Sequence, residues 1–316
     1  MKRSNLTLSI ILPGLLLVAC SPGGVYTKVQ DLVFDDAVFR ACVISEAEEN
    51  GWIDAGHVLK LHCVNPEGRK ITSLSGISKL ANLRDLDLAH NAIKDLSPLV
   101  ALEKLERLNF DDNQISEVPD RLSRVTVTHL SLNHNMIRDV SPISLLRHVE
   151  TVSLAYNRID DIASLQSAES LQALNLSQNE ISDISALGSL KKLRELDLSK
   201  NQLTDISGLE NLDMLEHLYL TNNDIADITP LAALLELREI DLSENELTSI
   251  EPLVLLENVW RLSLDQNQIE NIELLLDFGE LELISLRGIK NLSCDTIEQL
   301  SFEMGKDAVI TDEPCL

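Results

Sequence analysis

An asparagine recurs every 22 residues along most of this 316-residue chain, and no other feature of the sequence constrains the fold as strongly. A fixed period of roughly 20 to 50 residues is typical of proteins that stack one structural unit many times. The sequence therefore predicts an elongated solenoid rather than a globular domain. The nine asparagines follow one another without insertion or deletion and are Asn91, Asn113, Asn135, Asn157, Asn179, Asn201, Asn223, Asn245 and Asn267.

Apolar residues surround each asparagine at fixed positions. Two lie five and three residues before it, as Leu86 and Leu88 do before Asn91, and another lies two residues after it, as Ile93 does. Two apolar residues separated by one position predict a short strand that points both side chains inward. One strand per repeat would form a parallel sheet with about 4.8 Å between strands. Because the asparagine amide both donates and accepts, we expect it to satisfy backbone groups that the turn after the strand buries.

The segment that returns to the next strand is short. Twenty-two residues leave too little chain for a strand, two turns and a long α-helix. Proline, which suits the first turn of a short helical segment, recurs there as Pro98, Pro142, Pro230 and Pro252. The sequence therefore predicts 3₁₀ turns on the convex side of the solenoid and little α-helix.

Related pentapeptides follow many of the asparagines, and they carry a family resemblance. Five of them, at 95–99, 139–143, 183–187, 205–209 and 227–231, begin with Asp, an aliphatic residue and Ser or Thr, and end with Leu or Ile. They resemble the leucine-rich repeats of bacterial internalins and the SDS22-type repeats of a eukaryotic phosphatase regulator. The resemblance implies a leucine-rich-repeat solenoid with a curved parallel β-sheet on its concave side. It implies much less about function, because this repeat is a scaffold.

The first twenty residues have the pattern of a secretory signal. Lys2 and Arg3 precede an apolar stretch over 6–18 that is too short to span a bilayer comfortably. The stretch ends in Leu-Val-Ala-Cys at 17–20, which resembles the lipobox of bacterial lipoproteins. That resemblance implies cleavage before Cys20 and acylation of Cys20. The alternative is an ordinary signal peptide in which this cysteine is incidental.

The residue after the lipobox bears on localisation. In Gram-negative lipoproteins, Asp at this place favours retention in the inner membrane, and this chain has Ser21. The resemblance therefore implies an exported protein that is lipid-anchored in the outer membrane of a Gram-negative bacterium. Whether it faces the periplasm or the cell surface stays open.

The sequence divides into five segments. The segments are a lipoprotein signal peptide (1–19), a lipid-anchored tether (20–30), an N-terminal cap (31–73), about ten leucine-rich repeats (74–288) and a C-terminal cap (289–316). In the N-terminal cap we expect a helix from Asp35 to Glu49, ended by 50–51, and a strand over 58–63. In the C-terminal cap we expect a helix over Asp295–Met304 with Asp295 or Ser293 as its N-cap.

Four cysteines remain once Cys20 is lipidated, and export would allow them to form disulfides. Three connectivities are possible. Because a solenoid keeps its ends apart, we expect Cys42 to pair with Cys63 and Cys294 with Cys315, one disulfide in each cap. The same separation argues against a zinc site built from all four cysteines.

Charge and motifs exclude several classes of function. With 26 basic and 51 acidic residues, the net charge of −25 repels nucleic acid phosphates. The seven histidines form no recognised metal-binding motif, and the chain has no glycine-rich phosphate loop. We therefore expect no enzymatic activity, no metal, no cofactor and no nucleic acid partner.

The outward strand positions form the concave face, and their residue types differ between repeats. Because solenoids bind through such surfaces, we expect a monomeric, lipid-anchored envelope protein that binds another protein there. The internalin resemblance implies adhesion or host contact; the alternative is a structural or sensory envelope component without a host partner. For any single one of these side chains, a tolerated surface position is the favoured alternative, whereas the face as a whole is expected to bind. The candidate partner-binding residues are Arg107, His129, His134, Tyr156, His217, Tyr219, Glu239, Asp241 and Arg261.

Overall fold

The computed structural model describes residues 27–65, 68–290, 292–305 and 307–312. Within these ranges the chain is a leucine-rich-repeat solenoid, as the sequence predicts, with twelve strands in one parallel sheet and in chain order. The strands are β1 (Lys60–His62), β2 (Asp85–Asp87), β3 (Arg107–Asn109), β4 (His129–Ser131), β5 (Thr151–Ser153), β6 (Ala173–Asn175), β7 (Glu195–Asp197), β8 (His217–Tyr219), β9 (Glu239–Asp241), β10 (Arg261–Ser263), β11 (Leu283–Ser285) and β12 (Val309–Ile310).

The constant period sets the register of the sheet. From β2 to β11 each strand residue pairs with the residue 22 positions later, as Leu174 pairs with Leu196. The central residue of each of these strands is buried, while its two neighbours face outward because side chains alternate along a strand. Equivalent outward residues therefore lie side by side in rows that cross the concave face.

Short 3₁₀ segments line the convex side, as predicted. An aspartate often precedes them; the Asp183 carboxylate accepts from the Ser185 N–H at 2.8 Å. This bond and one from the Ser185 hydroxyl lower the pKa of Asp183. The 3₁₀ segments between strands are Ile77–Lys79, Ser97–Ala101, Asp120–Arg124, Ala163–Ser167, Ser185–Ser189, Ser207–Leu209, Thr229–Ala233, Glu251–Leu253 and Ile272–Asp277, and one coil instead has a single α-helical turn, α2 (Ser141–Ser144).

The N-terminal cap packs a helix over the first strand. The helix α1 (Ala37–Asn50) begins directly after its N-cap Asp36, whose carboxylate accepts from the backbone of Val38 and Phe39 at 2.8 and 3.0 Å. It ends at Gly51, which has φ 70°, a left-handed conformation that glycine adopts without steric cost. The helix thus starts two residues later than Asp35, because the side chain of Asp36 is the one that caps it.

A disulfide joins this cap to the sheet. Cys42 of α1 is bonded to Cys63, directly after β1, with 5.8 Å between their Cα atoms. The predicted Cys42–Cys63 pair is therefore confirmed.

The first described residues, from residue 27 onward, pack with this cap. Val29 is buried and its N–H donates to the Ile53 carbonyl at 3.0 Å, while Ala55 donates to the Thr27 carbonyl at 2.8 Å. Residues 27–30, the last part of the predicted tether, thus pack with the cap because their backbone pairs with the loop after α1. Cys20 lies outside the described residues.

The C-terminal cap closes the other end. The helix α3 (Cys294–Met304) begins after Ser293, whose hydroxyl accepts from the Thr296 N–H at 3.3 Å, and it buries Ile297 and Leu300. Cys315 lies outside the described residues, so the Cys294–Cys315 pair stays a prediction. Among the described residues, none of the helices combines the length and apolar character that crossing a bilayer requires.

Candidate functional site

The recurrent asparagines lie inside the solenoid. In the middle of the molecule, the Asn179 amide group donates to the carbonyls of Leu154 and Leu176 at 3.0 and 2.9 Å. Its amide oxygen accepts from the Ile159 N–H at 3.1 Å. Each asparagine thus ties its own coil to the preceding one through backbone groups. This asparagine ladder lies in the loops that follow each strand, which we call the ascending loops, and it is not available to a partner.

The ladder has one member that the spacing conceals. Asn65 donates to the side-chain oxygen of Asn91 at 2.9 Å, and Asn91 donates to the Cys63 carbonyl at 2.8 Å. Asn65 stands 26 residues before Asn91 rather than 22, so the period alone does not find it. It continues the ladder into the cap at the position where the disulfide holds β1.

A row of left-handed residues lies directly before the ladder. These residues are not glycine, and φ above 0° is uncommon for them. We call this row the rim, because it borders the concave face at the ends of the strands. With φ between 53° and 59°, its members are His90, Asp112, His134, Tyr156, Gln178, Lys200, Asn222, Glu244 and Gln266. The structure thus places two predicted site residues, His134 and Tyr156, on the rim rather than on the sheet itself.

His134 and Tyr156 stack on each other. Their ring centroids are 4.0 Å apart and the planes differ by 16°. Both side chains are exposed, and Tyr156 keeps 46% of its surface accessible. The stack holds two aromatic side chains in one arrangement, which lowers the entropy lost when a partner binds. We call His134 and Tyr156 the aromatic pair.

Five other predicted residues gather on β8, β9 and β10. Glu239 lies at their centre: its carboxylate is 3.6 Å from His217 Nδ1 and 3.1 Å from a guanidinium nitrogen of Arg261. Burial, together with the charge of Glu239 and a hydrogen bond to it, raises the pKa of Tyr219 to about 12. The Asp241 carboxylate accepts from the Ser243 N–H at 2.9 Å. We call His217, Tyr219, Glu239, Asp241 and Arg261 the charged cluster.

The last two predicted residues lie nearer the N-terminal cap. Arg107 of β3 has a guanidinium nitrogen 3.8 Å from an Asp85 carboxylate oxygen. His129 of β4 has its Nδ1 atom 2.9 Å from the Thr128 hydroxyl. The structure therefore separates the nine predicted residues into three groups along the concave side instead of bringing them into one pocket.

Polar side chains between these groups are occupied by the fold. The Asp111 carboxylate accepts from the Ser131 hydroxyl at 2.7 Å and from the Asn133 N–H at 2.8 Å. The Asn133 side-chain oxygen accepts in turn from the Ser153 hydroxyl at 2.7 Å. In the part of the chain that the structure describes, no three His, Cys, Asp or Glu side chains come together to hold a metal ion. The arrangement is suited to binding through surface contacts.

Comparison with known families identifies the repeats. A family model described as "Leucine Rich repeats (2 copies)" matches residues 81–123, 169–211 and 213–254. These ranges lie within the regular coils between β1 and β11. A comparison with curated proteins found no significant match.

Solved structures share the fold. An internalin C2 from Listeria monocytogenes is 28% identical, with a TM-score of 0.58, covering 77% of this chain and 100% of that one. The functional domain of InlJ from the same organism is 18% identical, with a TM-score of 0.52, covering 84% of this chain and 67% of that one. The ectodomain of the Arabidopsis thaliana receptor kinase GASSHO1/SCHENGEN3, solved in complex with CASPARIAN STRIP INTEGRITY FACTOR 2, is 21% identical, with a TM-score of 0.54, covering 76% and 33%. This chain is therefore a leucine-rich-repeat protein that resembles internalins.

Proposed function

We propose that this protein is a binding scaffold of the bacterial cell envelope, anchored by lipid on Cys20, that recognises a protein partner through its concave side. Leucine-rich-repeat solenoids present extended concave surfaces that suit protein partners. The observation that carries the proposal is the aromatic pair. Its two stacked and exposed rings on the rim have no packing role in the core.

The charged cluster adds selectivity to this surface. Glu239 lies between His217 and Arg261, so an imidazole, a carboxylate and a guanidinium lie in a fixed order along three strands. A partner with the complementary order would gain attraction, whereas others would meet like charges. The net charge of −25 favours a partner with a basic surface and accelerates its approach.

Site-specific photo-crosslinking tests the concave surface. A benzophenone amino acid replaces Tyr156 or Tyr219 in the full-length protein, which is expressed in its own organism. The matched control carries it at Gln166, an exposed residue of the convex segment Ala163–Ser167. We expect the same crosslinked protein from positions 156 and 219 and none from position 166. Products from position 166 alone, or no product from either tyrosine position, would contradict the proposal.

The lipid anchor is a separate part of the proposal. The lipobox at 17–20 supports it, and more than one acyl chain would hold a protein stably at a membrane where one alone is marginal. Replacing Cys20→Ser should leave an unprocessed precursor without lipid, which metabolic labelling with a fatty acid and electrophoretic mobility would detect. A variant that matures and stays in the membrane fraction would refute the anchor without bearing on the concave surface.

A further inference from the structure

Two aromatic side chains line a cleft on the edge of the solenoid opposite the asparagine ladder. We call the loops that lead from each 3₁₀ segment into the next strand the descending loops. Trp260, one of two tryptophans in the chain, ends the descending loop before β10. Every equivalent residue before β2 to β9 and β11 is polar: Arg84, Glu106, Thr128, Glu150, Gln172, Arg194, Glu216, Arg238 and Glu282.

Phe278 is the second aromatic residue; it packs against the core but is less deeply buried than its equivalents in other coils. The three preceding coils have Leu212, Leu234 and Leu256 at this position, with at most 1% of their surface exposed. Phe278 is only half-buried. The backbone explains this difference, because Phe278 is extended after the longer segment Ile272–Asp277, with ψ 118°, whereas Leu234 has ψ 68°.

Both aromatic side chains line one cleft. Its volume is about 660 Å³, and it lies between the descending loops before β10 and β11. Gly279 also lines it, and a side chain added there would meet no atom within 4 Å. The cleft is thus open space with an aromatic lining.

Four carboxylates surround the aromatic lining and are not neutralised. They are exposed, and within the described residues none of them belongs to an ion pair. The one basic residue of the lining, Arg238, has its Nε atom 3.7 Å from a carboxylate oxygen of Glu216, outside the cleft. The four are Glu257, Asp277, Glu280 and Glu282.

We propose that this cleft binds an arginine side chain from a basic segment of a partner protein. The ring faces attract a cation, and the carboxylates supply the opposite charge. A guanidinium is planar and weakly hydrated, so it stacks on an aromatic ring and bonds a carboxylate at once, which a compact ammonium does not do. The cleft lies at the descending loops before β10 and β11. The proposal therefore does not depend on binding at the concave side.

Trp260 itself reports binding. In a Trp52→Phe background it is the sole tryptophan, and Trp52 lies in the N-terminal cap. The full-length protein is titrated with the peptide acetyl-Gly-Arg-Gly-amide while tryptophan fluorescence is recorded. The same peptide with citrulline, which keeps the shape and lacks the charge, is the ligand control. We expect a saturable change in the millimolar range for arginine, a weaker one for the lysine peptide and none for citrulline.

Charge variants separate this cleft from general attraction to an acidic protein. Glu280→Gln with Glu282→Gln should weaken arginine binding about tenfold. Glu180→Gln with Glu246→Gln removes the same charge from exposed positions on the ascending loops and should leave binding unchanged. All four substitutions are on the surface, and circular dichroism verifies the fold. An equal response to citrulline, equal weakening in both variants, or no response to arginine would overturn the proposal.

Discussion

The ascending and descending loops connect neighbouring coils through different kinds of side-chain contact. In the ascending loops the asparagine ladder buries its amides and bonds the backbone of two coils, as Asn179 does with Leu154 and Ile159. In the descending loops exposed side chains connect the coils, as Glu216 does with Arg194 and Arg238. Replacing a buried amide leaves a backbone group without its partner, whereas exposed ion pairs contribute little to stability and can be replaced.

The difference explains where variation is found. The ascending loops keep one asparagine per coil through nine coils, while the rim before it and the exposed residue after it vary. The descending loops place Arg, Glu, Thr, Gln or Trp at one position. Both candidate binding features, the aromatic pair and the Trp260 cleft, therefore lie where a side chain can change without disturbing the backbone bonds.

The largest expected effect is at the ladder. Replacing Asn179→Ala leaves the buried Ile159 N–H unpaired and takes one of two amide donors from each of the Leu154 and Leu176 carbonyls, so we expect a loss of about 4 kcal/mol in the free energy of unfolding. Urea denaturation followed by circular dichroism measures it. Gln202→Ala, at an exposed residue of an ascending loop, is the control and should change stability little. A similar loss of stability in both variants would show that the asparagine ladder does not stabilise the fold more than an exposed loop residue does.

The disulfide at the first ascending loop is next in size. Cys42→Ser together with Cys63→Ser opens a loop of 21 residues, and chain entropy predicts a loss of about 3 kcal/mol. Because Asn91 bonds the Cys63 carbonyl, we expect the loss to appear first in hydrogen exchange around β1 and β2. Uniformly increased exchange through β10 would show instead that the cap and the coils unfold as one unit.

The rim should respond in the opposite direction. Lys200 has φ 56°, which costs a residue with a side chain about 1 kcal/mol, so Lys200→Gly should stabilise the protein by about 0.5 kcal/mol after the entropy of glycine is included. Gln202→Gly provides the matched comparison, since Gln202 has no positive φ and should lose stability. Thermal melts measure the change in stability of the two variants. A change of the same sign in both would contradict backbone strain at Lys200.

The smallest effect is expected in the descending loops. Glu216→Gln removes the two exposed contacts with Arg194 and Arg238 and should cost about 0.5 kcal/mol or less. High salt should abolish the difference between this variant and the unchanged protein, because it screens exposed charges. In 1 M salt the screening length falls to about 3 Å, from about 10 Å in 0.1 M salt, so a loss of stability that persists there would show that these pairs hold the coils together.

The fold could be predicted because its signal repeats. Leu86, Leu88 and Asn91 recur in the same frame, so each coil supports the assignment of the next. The Cys42–Cys63 pair followed from the separation of the two ends. Asn65 was missed because the cap interrupts the period, and only its hydrogen bond to Asn91 reveals it.

The candidate sites could be predicted only in part. His134 and Tyr156 were identified as outward residues, but their stacking depends on the left-handed backbone that turns both side chains onto the rim. Phe278 reads as one more core residue, because it occupies a position that Leu256 fills in the preceding coil. Its partial exposure follows from its backbone torsions, which the residue types do not specify.

The 22-residue period by itself determined the solenoid, the parallel register and the inward asparagines, because a strict repeat allows equivalent residues only one set of neighbours. Tertiary structure alone decided which outward residues meet. Contact between side chains of adjacent coils depends on torsions and on the space that each loop leaves, as the aromatic pair and the Trp260 cleft show. The period carries information about what all coils share, and binding depends on where individual coils differ.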